Sequence, residues 1–458
     1  MKAFSITIAI LSLALGGLPF FRVRSRGSLW LVFPKFLGTA LAPYVALTGA
    51  LGAAIGLMYG SSLAIGAGVV GVVLAADYVR RVSAPHDGFK RAFGPDWMNR
   101  ITPKSEQRML RRRWTWWVPN VREPRWTRDV AFWTIPGSDR KLLADIWQPP
   151  AGVETSGMAI VFLHGSAWYL WDKDCGTRPF FRYLAAQGHI VMDVAYRLCP
   201  EVDIVGMVGD AKRAVAWMKT NAAMFGVNPQ RVAFMGESAG GHVALLAAYS
   251  SNHPRLIPEE LQGVDTSVQA VVSYYGVPDM RDYCDYTVSR FGDRLEQQHS
   301  AAERPRPGRS DAFFNRMLCG RWLPIEQLPP TPPHRRMMME LLGGQLDEVP
   351  EMYDLASPIS HVNADCPVTL LFQGEHDLIV PVASARRLHH RLAAAGVSVV
   401  YVEFPRTDHG FDLLFPRLAP AGQAALYDLE RFLAYVGRED DGQRIPQTDR
   451  CAYLLPAG

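Results

Sequence analysis

Three residue types in this chain could together carry out acyl transfer: a serine in a Gly-x-Ser-x-Gly pentad, an aspartate and a histidine. The pentad is Gly236-Glu237-Ser238-Ala239-Gly240. A short apolar run, Val232–Met235, leads into it, and an Ala- and Leu-rich stretch with helical spacing follows (Val243, Leu245, Leu246, Ala248). Strand, sharp turn, helix is the context in which this pentad acts as a nucleophile elbow. Such a turn holds the serine in a strained backbone conformation and tolerates only small residues two positions to either side. It also aims a helix N-terminus at whatever the hydroxyl attacks. Taken alone, the pentad could equally be a Gly-rich turn whose serine caps a helix.

A serine hydroxyl is a weak nucleophile until a base removes its proton, and the base needs a carboxylate to hold its tautomer. Both partners are expected after the serine, at the ends of later strands. Gln373-Gly374-Glu375-His376-Asp377 follows the apolar run Val368–Phe372, and Asp408-His409-Gly410-Phe411 follows Val399–Phe404. This gives the order Ser238, Asp377, His409, with Glu375 and Asp412 as alternative acids. Of the other histidines, His389 and His390 lie mid-helix and read as solvated. His376 reads as structural, and His242 falls on the helix behind the pentad. An oxyanion needs backbone N–H donors. One is expected from Ala239, and a second from the loop His164-Gly165-Ser166-Ala167-Trp168.

The elements that must position these residues alternate along the chain from about residue 127. Val130–Ile135 and Leu142–Trp147 read as an entry hairpin around Pro136-Gly137-Ser138-Asp139. Strands are expected at 158–163, 189–194, 232–235, 268–274, 368–372 and 399–404. Helices are expected at 179–186, 205–224, 384–395 and 422–435. Buried strands with intervening helices imply an α/β fold, a mostly parallel sheet covered on both faces. The pattern breaks over residues 281–348, a charged, Pro-rich segment expected to lie over the strand ends as a lid. A catalytic domain over 127–438 and a polar tail over 439–458 complete this region.

Residues 1–80 are different material. Phe4–Phe21, Phe36–Leu57 and, Asp77 apart, Ser62–Val79 are each long enough to cross a bilayer, which needs about 17–20 apolar residues. The first could instead be a signal peptide, although its only leading cation is Lys2 and no clear cleavage site follows. Arg22, Arg24, Arg26 and Lys35 follow the first stretch; Arg80, Arg81, Lys90, Arg91 and Arg111–Arg113 follow the third. The positive-inside rule places both basic segments, and the catalytic domain, in the cytoplasm. Gly66-Ala67-Gly68-Val69-Val70-Gly71 matches a dinucleotide fingerprint but has no strand before it and no acidic partner in register, so it is rejected. Gly52, Gly56 and Gly60 allow close packing between the second and third spans or in a homo-oligomer. Residues 81–126 interleave Trp97, Trp114, Trp116, Trp117 and Trp126 with arginines. Beside membrane spans this reads as an interfacial segment contacting lipid rather than nucleic acid.

The chain has 458 residues and a net charge of only +4, which does not suggest bulk nucleic-acid affinity. Its six cysteines include no C-x-x-C pair. That argues against a zinc site and favours reduced, buried thiols.

The HG-type loop at His164-Gly165, the segment Asp193…Tyr196-Arg197-Leu198-x-Pro200-Glu201, the Gly-Glu-Ser-Ala-Gly-Gly run, and the later Asp377 and His409 occur in one order. Together they resemble the α/β-hydrolase esterases of the hormone-sensitive-lipase type over about residues 127–437. The resemblance implies a carboxylic-ester hydrolase with no cofactor; the membrane anchor, the aromatic loop and the Met-bearing lid favour small or lipophilic acyl esters. The resemblance also implies oxyanion N–H groups from Gly165 and Ser166 beside that of Ala239. The family loop is usually His-Gly-Gly-Gly; here Ser166 and Ala167 replace two glycines that permit positive φ. Trp168 and Tyr169 are candidate walls of an acyl pocket. Amide, peptide or formamide hydrolysis or acyl transfer could use the same three residues, and a silent membrane scaffold is the reading from another class. A haloalkane dehalogenase is excluded, because it would need an aspartate where Ser238 stands.

Overall fold

The computed structural model describes residues 1–23, 26–291 and 334–438; the tail at 439–458 and most of the expected lid lie outside the described residues. Helices α1 (Lys2–Gly17), α2 (Val32–Ala40), α3 (Ala42–Met58) and α4 (Ser62–Val82) build the N-terminal region. Two helical stretches, Lys2–Phe20 and Ser62–Val82, are long and apolar enough to cross a membrane; a third candidate is the pair α2 and α3. The second expected span is not one rod. α2 and α3 meet at an 83° bend. Pro43 sits in the first turn of α3. It has no N–H to donate back one turn, and its ring crowds that carbonyl, so the helix cannot run through.

Close packing of α1, α3 and α4 depends on small residues. A Cβ on Gly68 would lie 2.4 Å from the Gly49 carbonyl oxygen, and one on Gly71 would lie 2.5 Å from Ser12 Oγ. Two glycines of the rejected fingerprint are therefore packing positions. Gly52 meets Ala9 and Gly56 meets Ala64 within the chain, whereas Gly60 has φ +65° and open space around it.

The segment after α4, with the short helices α5 (Gly88–Phe93) and α6 (Pro103–Glu106), lies along the following domain. The Leu110 N–H donates to Glu430 Oε2 at 2.7 Å, and Arg113 pairs with Asp428. Trp97 stacks on Phe89 and Trp126 on Trp147, each pair at 4.5 Å between centroids. Only part of the Trp and Arg pattern is left for an interface: Trp116 and Trp117 remain exposed, with Trp116 beside Tyr44 of α3.

The region that follows is built on an eight-stranded sheet of order β1-β2-β4-β3-β5-β6-β7-β8. β1 (Arg125–Thr134) and β2 (Lys141–Gln148) form the entry hairpin, and β2 pairs antiparallel with β4 (Ile190–Val194). β3 (Ala159–Leu163), β5 (Val232–Glu237), β6 (Ala270–Tyr274), β7 (Val368–Gly374) and β8 (Val399–Phe404) run parallel. Helices α7 (Arg178–Ala186), α8 (Ile204–Thr220), α9 (Ala222–Phe225) and α10 (Ala239–Tyr249) alternate with the strands, as do Val382–Ala394 and Pro420–Val436. Alternate residues of β3 feed two separate cores: Ala159, Val161 and Leu163 join one, Ile160 and Phe162 the other. That is what burial of a sheet on both faces requires.

Parallel register brings the carboxyl ends of these strands to one edge. Leu163 pairs with Gly236, Glu237 with Tyr274, and Gly374 with Phe404. The loops that leave β3, β5, β7 and β8 therefore converge, which is where open α/β sheets place their sites. The described flanks of the insertion are helix α11 (Met280–Phe291) and helix His334–Leu342.

Candidate active site

Ser238 joins β5 to α10 with φ 52° and ψ −119°. A non-glycine residue in this region stores about 1–3 kcal/mol of strain. The turn closes only because its flanks lack side chains. A Cβ on Gly236 would lie 2.4 Å from the Gly240 carbonyl oxygen, and one on Gly240 would lie 2.1 Å from that of Leu163.

His409 Nε2 lies 2.9 Å from Ser238 Oγ, and His409 Nδ1 lies 2.9 Å from Asp377 Oδ2. Asp377 is fully buried, and its carboxylate is saturated with donors. Oδ1 accepts the N–H groups of Ile379 and Val380 at 2.8 Å each, and Oδ2 accepts Gln373 Nε2 at 2.7 Å. An acceptor-only carboxylate opposite Nδ1 puts the ring proton there and leaves the Nε2 lone pair facing the serine hydroxyl. The alternative acids are engaged elsewhere. Glu375 accepts the Arg406 N–H at 2.7 Å, and Asp412 accepts the Tyr275 hydroxyl at 2.5 Å. Burial pushes Asp412 up to about 6. Burial and the neighbouring Asp412 charge push Glu237 well above the usual carboxylate range.

The loop after β3 lies against the serine turn: a Cβ on Gly165 would be 3.1 Å from the Glu237 carbonyl oxygen. The N–H groups of Gly165, Ser166 and Ala239 donate to no backbone carbonyl among the described residues. Ala167, which stands at the last glycine position of the family loop, adopts φ +46°, and Trp168 just beyond it adopts φ +62°. The loop thus reaches a glycine-like conformation without glycine, and side chains hold it there. Ser166 Oγ accepts the Trp168 N–H at 3.0 Å and lies 2.9 Å from the Tyr196 hydroxyl, which donates to the His164 carbonyl at 2.8 Å.

A cavity of about 280 Å³ opens beside Ser238. Trp168, Trp171, Tyr283 and Leu378 form part of its lining, and Val32 and Phe36 of α2 form another part. Of the two aromatic residues expected in the wall, Trp168 lines the cavity and Tyr169 does not. The Tyr169 hydroxyl instead donates to Glu340 Oε2 at 3.0 Å, toward the helix His334–Leu342. On the other flank of the insertion, Tyr286 of α11 donates to the Asp377 carbonyl at 2.7 Å.

Several contributors escape a reading of motifs. His242 accepts the Trp168 indole N–H, and burial pulls it down to about 4. His389 is half-buried against the Tyr401 ring rather than solvated. Lys35, counted from sequence as a loop cation, is 1% exposed and paired with Asp408 at 2.7 Å. A lone cation inside an apolar stretch was the available signal, since such a residue needs a partner. Among the described residues no cluster of His, Cys, Asp and Glu could hold a metal ion. Cys199, Cys284 and Cys366 are free and buried as expected, but Cys175 is disulfide-bonded.

Comparison with known proteins agrees with this architecture. The BD-FAE family matches residues 144–304 and 324–392. Esterase LipC of Mycobacterium tuberculosis is 31% identical over 61% of this chain and 59% of its own length. The probable carboxylic ester hydrolase LipM of the same organism is 32% identical over 64% of this chain and 58% of its own. The chain therefore spans under three fifths of the length of these two relatives. Esterase B from Lactobacillus rhamnosis superposes with a TM-score of 0.50 at 20% identity, covering 70% of this chain and 88% of that one, a likeness of fold. With half of its length matched, and with the sheet and strand-end site described above, the chain belongs to the BD-FAE family and has the α/β-hydrolase fold.

Proposed function

We propose that the chain is a membrane-anchored serine hydrolase that cleaves carboxylic esters through an acyl-enzyme. The observation that carries this reading is His409, bonded to Ser238 on one ring nitrogen and to Asp377 on the other. Ser238 Oγ attacks the acyl carbonyl as His409 takes its proton. The amides of Gly165, Ser166 and Ala239 stabilise the oxyanion. His409 returns the proton to the departing alcohol, and water then repeats the sequence on the acyl-serine. His409 acts as the base in its neutral form. The apolar cavity suits lipophilic acyl groups. Ser238→Ala is expected to lower ester turnover by several orders of magnitude and to abolish labelling by a fluorophosphonate. Unchanged turnover would remove the assignment. Matched p-nitrophenyl esters and anilides separate an esterase from an amidase.

The anchor would consist of α1, α3 and α4, with lipid also meeting Trp116 and Trp117. The basic residues flanking the spans support a cytoplasmic catalytic domain. The disulfide at Cys175 favours the opposite side, because disulfides persist in oxidising compartments. A C-terminal reporter active only in the cytoplasm, paired with one active only outside it, decides between the two.

A further inference from the structure

An ammonium buried in an apolar setting persists only where its charge and its three donors are matched. Lys35 Nζ meets three partners: the Phe21 carbonyl at 2.8 Å, His376 Nδ1 at 3.0 Å and Asp408 Oδ2 at 2.7 Å. Two of these are next to the reacting groups in sequence. His376 immediately precedes Asp377, and Asp408 immediately precedes His409. One side chain from α2 therefore fastens the loop after β7 and the loop after β8, which must together hold the bond between Asp377 and His409.

The same N-terminal region grips the second loop at two further points. Tyr78 of α4 lies 3.1 Å from Thr407 Oγ1, and Asp77 pairs with Arg406 at 2.8 Å. The loops also bond each other, with the His376 N–H donating to the Thr407 carbonyl at 2.9 Å. Small displacements of a base or its orienting acid can cost up to about a hundredfold in rate. Lys35 also matters through its charge, because it neutralises a buried carboxylate next to the imidazole. The titratable and charged groups around His409 are Asp377 and His376 from the loop after β7, and Asp408 and Asp412 from its own loop. Glu237 behind Asp412, Tyr275 after β6, Tyr283 and Tyr286 of α11, and Lys35 of α2 also belong to this group, with Arg22 acting on Lys35 and Tyr286 and Glu375 acting on Lys35.

We propose that Lys35 is a positioning residue, through which the N-terminal helical region sets the geometry and the local charge of the Asp377 and His409 loops. This rests on the roles proposed above for Ser238, His409 and Asp377. A purely structural anchor would make the same contacts but would not act on the imidazole in a signed way.

The test uses the full-length chain in detergent and p-nitrophenyl butyrate, with Lys35→Met, Asp408→Asn and the double variant. Lys35→Met leaves an uncompensated anion beside His409. It is expected to lower kcat tenfold or more with KM within about threefold, and to move the acid limb of kcat/KM up by about one pH unit. Asp408→Asn leaves an uncompensated cation and is expected to move the limb down. The double variant is expected to return the limb close to that of wild type. Coincident limbs in all four proteins, or shifts of the same sign in both single variants, overturn the proposal. If Lys35→Met does not fold, the limb of the double variant must lie above that of Asp408→Asn; equal limbs overturn the proposal. Absence of Ser238-dependent turnover in the wild type would instead bring down the reading of the site itself.

Discussion

Trp168 donates its indole N–H to Nδ1 of His242 across 3.1 Å, and the opposite ring nitrogen of His242 lies 2.7 Å from the Ala356 carbonyl. The indole donor makes Nδ1 the acceptor, so Nε2 carries the proton and donates to Ala356. The imidazole is neutral, since burial pulls its pKa to about 4. This relay ties the loop after β3 to the helix behind Ser238. It accounts for how Ala167 and Trp168 stay at positive φ without being glycine.

Trp168→Phe keeps most of the apolar contact and deletes the donor, leaving His242 Nδ1 buried and unpaired. Such a loss costs about 1–3 kcal/mol, which urea unfolding of the detergent-solubilised protein reads directly. Turnover should fall more through kcat than KM, because the loop amides shift with the backbone. Wild-type stability in this variant would show that the relay does not hold the loop.

Phe36 and Val32 of α2 form part of the cavity wall. Phe36→Ala should lengthen the acyl chain that is hydrolysed best. Each added methylene that becomes buried contributes about 0.8 kcal/mol, or roughly fourfold in kcat/KM. A p-nitrophenyl ester series from acetate to decanoate measures the optimum. An unmoved optimum would mean that α2 does not contact the acyl chain.

Glu430 is buried, and burial raises its pKa to about 8 despite the Leu110 N–H and Arg431, which favour the charged form. Its ordinary value is 4.5. The folded state therefore prefers the protonated acid. The stability this gives is complete below about 4.5 and is lost as pH rises toward 8, at about 1.4 kcal/mol per pH unit. Glu430→Gln keeps an acceptor for Leu110 and removes the titration. The variant should melt progressively higher than wild type as pH rises from 5 to 8, and parallel melting curves across that range contradict the assignment.

Gly66 and Gly68 provide a matched pair in α4. A Cβ on Gly66 meets nothing within 4 Å, whereas one on Gly68 would lie 2.4 Å from the Gly49 carbonyl oxygen. Gly66→Ala should be neutral or slightly stabilising, by about 1 kcal/mol at most. Gly68→Ala should separate α3 from α4 and lower the melting temperature in detergent. Equal behaviour of the two variants would refute the packing role.

Ser238, Asp377 and His409 could be read from the chain because each follows an apolar run at a strand end, and the chemistry fixes the order in which they can be useful. The layered sheet was legible for a similar reason, since continuous apolar strands need cover on both faces. Gly236 and Gly240 were legible too, because the turn constrains residues within a few positions of itself. Element ends were less so: β1 begins at Arg125 and β5 runs on to Glu237.

What motifs could not supply lies between residues distant in sequence. Tyr169 was a reasonable pocket wall by adjacency to Trp168, yet its hydroxyl turns to Glu340, 171 positions away. Phe36–Leu57 had the length and composition of one span. The break at Pro43, and the bend that lays α2 against the cavity beside Ser238, belong to the structure. Lys35 was counted as a loop charge, while its partners at His376 and Asp408 lie about 340 and 370 positions on. The sequence by itself determined the candidate reacting groups and the strand ends that carry them, because local backbone geometry and hydrophobic pattern are written within short windows. Only the tertiary structure decided what surrounds them, because a buried charge or an unpaired donor is satisfied by whatever the fold brings within hydrogen-bond reach.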